Sequence, residues 1–124
     1  MNLVDSCGWI EYFANANNAS FFESIILDTQ NLIVPTLCLY EVYKKIYLER
    51  GDELATTVCA QMQQGHVVDA TSQIALYAAE LSIKNKLPMA DSIVLATGYV
   101  HGASIWTQDA HFSGLSGVKY ISTT

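Results

Sequence analysis

The sequence predicts an α/β fold, a three-layer α/β/α domain with a mainly parallel central sheet of four to five strands. Three observations lead there. Short β-rich runs alternate with helical stretches along the whole chain, the pattern of strands joined by helical crossovers. A chain of 124 residues, 51% hydrophobic and 15% charged, is enough for one core and no more, so a single domain spanning 1–124 is expected. The stretch Met89 to Val100 is apolar or small at nearly every position, which marks a helix buried on most of its circumference.

Leu3-Val4 reads as the first strand, followed by a helix from Trp9 to Ala14 that the Asn-rich stretch Asn15 to Asn18 ends. Ser20 and Glu23 have capping-box spacing, predicting a second short helix over Phe21 to Leu27. Leu32 to Val34 is β-rich and stopped by Pro35. Thr36 is placed to cap a helix through Arg50, with Gly51 behind it, and another helix is expected from Asp52 to Gln64 before Gly65. His66 to Val68 is the third strand. Thr71 or Ser72 opens an Ala-rich helix that must end before Pro88, because the residue preceding proline avoids helical geometry. After the Met89–Val100 helix and Gly102, Ser104 to Thr107 forms the fourth strand and Val118 to Ile121 a fifth.

The apolar fraction excludes a disordered chain. Twelve acidic against six basic residues, a net charge of -6, argue against a nucleic-acid binder that works through a basic face. Cys7, Cys38 and Cys59 form no CxxC pair and are odd in number, so they read as reduced, partly buried thiols of a cytoplasmic protein. The first residues lack the basic and apolar regions of a secretory signal, and no apolar run approaches the ~20 residues that span a bilayer.

Ligands of open parallel sheets bind beyond the carboxyl ends of the strands, and Asp5 and Asp109 follow the first and fourth strands there. Each alone reads first as a helix cap or turn residue. Asp91, in the first turn of the most apolar helix, either complements the helix dipole or, as the one acid between Pro88 and Val100, faces a cation. Glu41, Lys45 and Glu49 follow at i,i+4 spacing, the pattern of a solvated, ion-paired face. Four carboxylates with no HxxxH motif describe an oxygen-donor site suited to Mg²⁺ or Mn²⁺ rather than zinc. His66, His101 and His111 fall in three different elements; His111, two residues past Asp109, reads as a loop histidine within reach of a substrate.

These residues resemble a known family. Val4-Asp5-Ser6 followed by Trp9-Ile10-Glu11-Tyr12-Phe13 is similar to the opening of PIN-domain nucleases, in particular the VapC toxins of VapBC toxin–antitoxin pairs. Val34-Pro35-Thr36 leading to Tyr40-Glu41-Val42 resembles their second acidic motif, Leu87 to Thr97 around Asp91 the third, and Ile105 to Phe112 around Asp109 the fourth. The resemblance implies a PIN-like domain in which Asp5, Glu41, Asp91 and Asp109 are the catalytic, metal-binding acids and Ser6 and Thr107 supporting hydroxyls. It moves Glu41 from a surface to a site residue. Cys7 stands where a small polar residue is usual, which concerns one supporting hydrogen bond, since a thiol is a weak donor. The implied activity is Mg²⁺-dependent hydrolysis of RNA phosphodiesters leaving 5′-phosphate and 3′-hydroxyl ends, with a VapB-like antitoxin and a second copy of the chain, in a homodimer, as partners.

Other α/β readings fit less well. A receiver domain wants a lysine where Asp109 stands, a dehalogenase-type phosphatase wants Asp-x-Asp where the chain reads Asp5-Ser6-Cys7, and Gly-x-Gly-x-x-Gly is absent. A PIN-like fold kept as a silent protein-binding module is the remaining alternative. The aromatics Trp9, Tyr12, Phe13, Phe21, Phe22, Tyr40, Tyr43 and Tyr47 crowd the first half and are expected mostly in the core. With four acids assigned to the site, eight remain against six bases, of which Lys44, Lys45 and Arg50 follow Glu41 and Lys84 and Lys86 precede Asp91. Phosphate is then expected to be held largely through bound cations.

Overall fold

A computed structural model describes residues 1–123; Thr124, the last residue of the expected domain, lies outside the described residues. Strands β1 (Asn2–Val4), β2 (Leu32–Pro35), β3 (His66–Val68), β4 (Ser104–Thr107) and β5 (Val118–Tyr120) form one sheet in the order β3-β2-β1-β4-β5. Every pairing is parallel, with Leu3 beside Ile33 and Ile105, and Val4 beside Trp106. Leu3, Val4, Ile33, Val34 and Ile105 are buried, as central strands covered on both faces must be.

Helices α1 (Ser6–Phe13), α2 (Ala19–Leu27), α3 (Thr36–Arg50), α4 (Asp52–Met62), α5 (Ser72–Asn85) and α6 (Met89–Val100) fill the crossovers. Two glycines show how tightly the layers close on the sheet. A Cβ on Gly8 of α1 would lie 2.7 Å from Val4 and from Phe22 of α2, and one on Gly98 of α6 would lie 2.7 Å from Ile105. Leu3 and Ile105 therefore face α6, while Val4 faces α1 and α2, as alternate strand residues must.

The helix ends depart from sequence expectation where side chains are used elsewhere. α1 starts at Ser6, not Trp9, because the Asp5 carboxylate accepts the Ser6 backbone N–H at 2.9 Å and caps it. The Ser20–Glu23 capping box does not form. α2 begins at Ala19 with Asn18 as N-cap, and the Asn18 amide instead donates to Gln108 Oε1 and the Ser122 carbonyl. Thr36 does not cap α3; it is the first helical residue, after Pro35. α4 ends at Met62, two residues early, and β5 at Tyr120. Thr71 caps α5 as expected, accepting from the Ile74 N–H, and α6 spans the predicted range. Among the described residues no helix is long and apolar enough to cross a membrane.

From β1 the chain moves to β2 and β3 on one side, then returns to β4 and β5 on the other. The carboxyl ends of β1 and β4 are neighbours whose connections run in opposite directions, so a crevice opens between them.

Candidate active site

Asp5 leaves β1 at this crevice and is 4% exposed. Its Oδ1 accepts the Ser6 N–H; its Oδ2 accepts the Thr107 hydroxyl at 3.0 Å and the Cys7 thiol at 3.4 Å. Burial pushes its pKa up to about 6, opposed by these three donors and assisted by the nearby Glu41 charge. Cys7 therefore fills the place of a polar side chain. Its own pKa is pushed up to about 12 by burial and by Asp5, so it remains a neutral donor.

Thr107, fully buried at the end of β4, is the hinge of the arrangement. Its hydroxyl donates to Asp5 and accepts the Asp109 backbone N–H at 2.9 Å, so one side chain sets the spacing between the loops after β1 and β4. Asp109 then caps the 3₁₀ turn Ala110–Phe112, accepting the His111 N–H at 2.9 Å.

Glu41 lies in the second turn of α3. The expected ladder on this helix splits: Lys45 and Glu49 pair at 3.2 Å in solvent, whereas Glu41 Oε1 accepts the Ser6 hydroxyl at 2.9 Å. Asp5, Glu41 and the buried Cys38 bring one side-chain atom each within 4.8 Å of one another. Burial, then the Asp5 and Glu41 charges, push the Cys38 thiol well above its usual pKa, which makes it a poor ligand for a hard cation.

Asp91, in the first turn of α6, meets the loop after β4. His111 Nδ1 lies 2.9 Å from Asp109 Oδ1 and 3.2 Å from Asp91 Oδ2, and these three residues form a second cluster within 4.8 Å. The Asp91 pKa is raised to about 7 by burial and by the Asp109 and Asp5 charges, with His111 opposing.

All four acids predicted from the sequence thus fall in two clusters, linked through the Thr107 hydroxyl, which meets the Asp5 carboxylate and the Asp109 backbone N–H. Among the described residues no lysine or arginine forms an ion pair with any of them. A set of hard oxygen donors, two of them destabilised as anions by burial and mutual repulsion, fits a divalent cation such as Mg²⁺ or Mn²⁺.

A cavity of about 700 Å³ opens beside this site, lined by Ser6, Cys7, Glu41, Lys44 and Gln108 among others. Asp91 and Asp109 lie outside its lining. A neighbouring cavity of about 470 Å³ shares Tyr40 and Lys44 with it and adds Tyr43 and Tyr47. These tyrosines are 61%, 38% and 49% exposed, the exceptions to an expectation of mostly core aromatics that holds for Trp9 and Phe22, which are buried, and for Tyr12, Phe13 and Phe21, which pack against the core. Lys44 Nζ sits 5.7 Å from the Tyr40 ring centre. Of the other bases, Arg50 lines cavities farther along α3 whose linings include none of Asp5, Glu41, Asp91 and Asp109.

Sequence reasoning missed three features. The contact of His111 with Asp91 joins residues from separate elements, although its closeness to Asp109 was visible. Cys38 carried no signal beyond a buried thiol. Glu11 accepts from Gln108 Nε2 at 3.1 Å and from the Asn18 N–H at 2.8 Å, bracing the loop that carries Asp109, but its place in the aromatic first helix showed none of this.

The family model of the PIN domain matches residues 3–118. No curated protein matches the chain in sequence. Its structure is similar to a toxin–antitoxin complex from Klebsiella pneumoniae, with a TM-score of 0.80 at 19% identity over 96% of each chain. It is also similar to Mycobacterium tuberculosis VapC20, a sarcin-ricin loop cleaving toxin (TM-score 0.77, 15% identity, 94% of this chain and 95% of that one). DNA-bound VapBC from Salmonella typhimurium aligns with a TM-score of 0.73 at 17% identity over 98% of each chain. At such identities the likeness is one of fold.

Proposed function

Because this chain belongs to the PIN-domain family, we propose that it is a Mg²⁺- or Mn²⁺-dependent endoribonuclease, the toxin of a VapBC-type toxin–antitoxin pair. The observation that carries this reading is the convergence of Asp5, Glu41, Asp91 and Asp109, from four separate segments, beyond neighbouring strand ends with no lysine or arginine paired to them among the described residues. The similarity to structures of VapC20 and VapBC complexes supports it.

In this reading the four carboxylates would hold a divalent cation, whose chemistry when bound would be charge stabilisation at the phosphate and acidification of water. The chain's own contribution is placement. Thr107 and the Ser6 N–H fix both oxygens of Asp5, the Ser6 hydroxyl fixes Glu41, and the Thr107–Asp109 bond fixes the fourth acid. The substrate strand runs through the cavity beside Ser6 and Glu41, whose lining bases are Lys44 and Lys45, of which only Lys45 is ion-paired among the described residues. A VapB-like antitoxin covers the site, the toxin is a cytoplasmic homodimer, and RNA affinity without metal is weak because the net charge is -6.

The test is cleavage of a panel of structured RNAs by the purified chain with Mg²⁺ or Mn²⁺, beside Asp5→Asn and an EDTA control. Cleavage lost in both controls supports the reading. Cleavage that survives either one rejects the metal mechanism, and absence of cleavage with tight binding of a neighbouring gene's product favours the silent binding module.

A further inference from the structure

We propose that His111 is itself a metal ligand, and that Asp91, Asp109 and His111 form a mixed nitrogen and oxygen site that favours a first-row transition ion such as Mn²⁺ over Mg²⁺. This rests on the reading of the carboxylates as an ion site and deepens it by dividing the site into two unlike donor sets.

The geometry carries the inference. His111 Nδ1 lies 2.9 Å from Asp109 Oδ1 and 3.2 Å from Asp91 Oδ2. Adjacent donor atoms of an octahedral ion with bonds of about 2.1 Å are separated by about 3.0 Å. The nitrogen thus already stands at the spacing of a neighbouring ligand to both carboxylates. Its placement is built into the chain: the His111 N–H donates to Asp109 Oδ1, closing the turn that brings the ring back over the pair. The His111 side chain is 58% exposed, and those of Asp91 and Asp109 are 17% and 27% exposed, so an ion can enter without opening the core. The other two histidines are spent elsewhere, His66 on the Gln30 carbonyl and His101 on the Thr97 carbonyl.

The two donor sets differ in kind. Asp5 and Glu41 offer oxygen beside a neutral buried thiol, a hard set. Asp91 and Asp109 offer oxygen with an imidazole nitrogen, and nitrogen donors shift preference from Mg²⁺ toward transition ions. The competing role for His111 is a counter-cation that leaves when the ion arrives. The two roles have opposite consequences: removing a ligand weakens binding, whereas removing a competing cation strengthens it.

The experiment uses the full chain at one fixed pH. Mn²⁺ is titrated and read by the electron paramagnetic resonance of free ion, Mg²⁺ by its displacement of Mn²⁺, and bound Mn²⁺ is examined for nitrogen-14 modulation in spin-echo spectra. The native chain should show directly bound nitrogen. His111→Asn, which keeps a polar side chain and the backbone turn, should lose that signal and bind Mn²⁺ on the order of tenfold more weakly, while Mg²⁺ affinity changes less than threefold. Bound Mn²⁺ without nitrogen modulation, or unchanged or tighter Mn²⁺ binding by His111→Asn, overturns the assignment of His111 and leaves the carboxylate site standing. If neither ion binds the native chain, the ion-site reading falls, and this one with it.

Discussion

The Ser6 hydroxyl donates to Glu41 at 2.9 Å across 35 positions of sequence, tying the first residue of α1 to the second turn of α3. The same residue's backbone N–H is capped by Asp5, so Ser6 touches two of the four acids through different atoms. Its side chain and its backbone can be separated by mutation.

Ser6→Ala keeps the backbone cap and loses only the bond to Glu41. A hydrogen bond to a charged group contributes roughly 1.5–3 kcal/mol, and if that bond orients Glu41, kcat should fall on the order of tenfold or more. Melting should show a loss in the same range, roughly 1.5–3 kcal/mol. An unchanged kcat would show that Glu41 needs no orientation from α1.

Stability without metal should fall as pH rises. The folded-state pKa of Asp5 is about 6 against 3.8 in the unfolded chain, and that of Asp91 about 7. The folded state therefore holds protons that the unfolded state releases. The stabilisation is complete below about pH 4 and is lost as pH passes through 6 to 7; for the buried Asp5 it is on the order of 3 kcal/mol. Melting in EDTA from pH 4 to 7 should show the decline, and Asp5→Asn should flatten it. A native curve in EDTA as flat as that of Asp5→Asn would contradict the raised pKa.

Mg²⁺ should reverse that loss at neutral pH. An ion that binds only the folded state at a hundred times its Kd adds about 2.7 kcal/mol. The melting temperature should rise with Mg²⁺ for the native chain and much less for Asp5→Asn. A native melting curve unmoved by saturating Mg²⁺ would mean that the acids do not form an ion site.

Gly8→Ala sets helix propensity against packing. Alanine gains up to about 1 kcal/mol in a helix interior, but its Cβ would lie 2.7 Å from Val4 and Phe22, both fully buried. Overpacking costs about 1–3 kcal/mol, so net destabilisation is expected in chemical denaturation. A more stable variant would show that α1 can lift from β1.

The strand and helix pattern was legible because it is written in local periodicity. Asp5 and Asp109 stood out because strand ends are visible locally, and Asp91 because it interrupts an apolar helix. Glu41 was readable only through resemblance. Its i,i+4 spacing to Lys45 and Glu49 is that of a solvated face, and the partner that distinguishes it, Ser6, is far away in sequence. The Ser20–Glu23 box failed for the same reason, since Asn18 found partners in Gln108 and Ser122 that no local pattern could show.

By itself the sequence determined the α/β class and the order of the elements, because backbone preference and burial pattern act over a few residues, and it singled out Asp5, Asp91 and Asp109 locally and Glu41 through resemblance. Tertiary structure decided how those acids are grouped. Parallel pairing of β1 with β4 lets one hydroxyl, Thr107, join Asp5 to the Asp109 loop, and places Asp91 and Asp109 against His111 rather than against Glu41. Such groupings depend on strand order and side-chain reach across the crevice, and neither has a local signature.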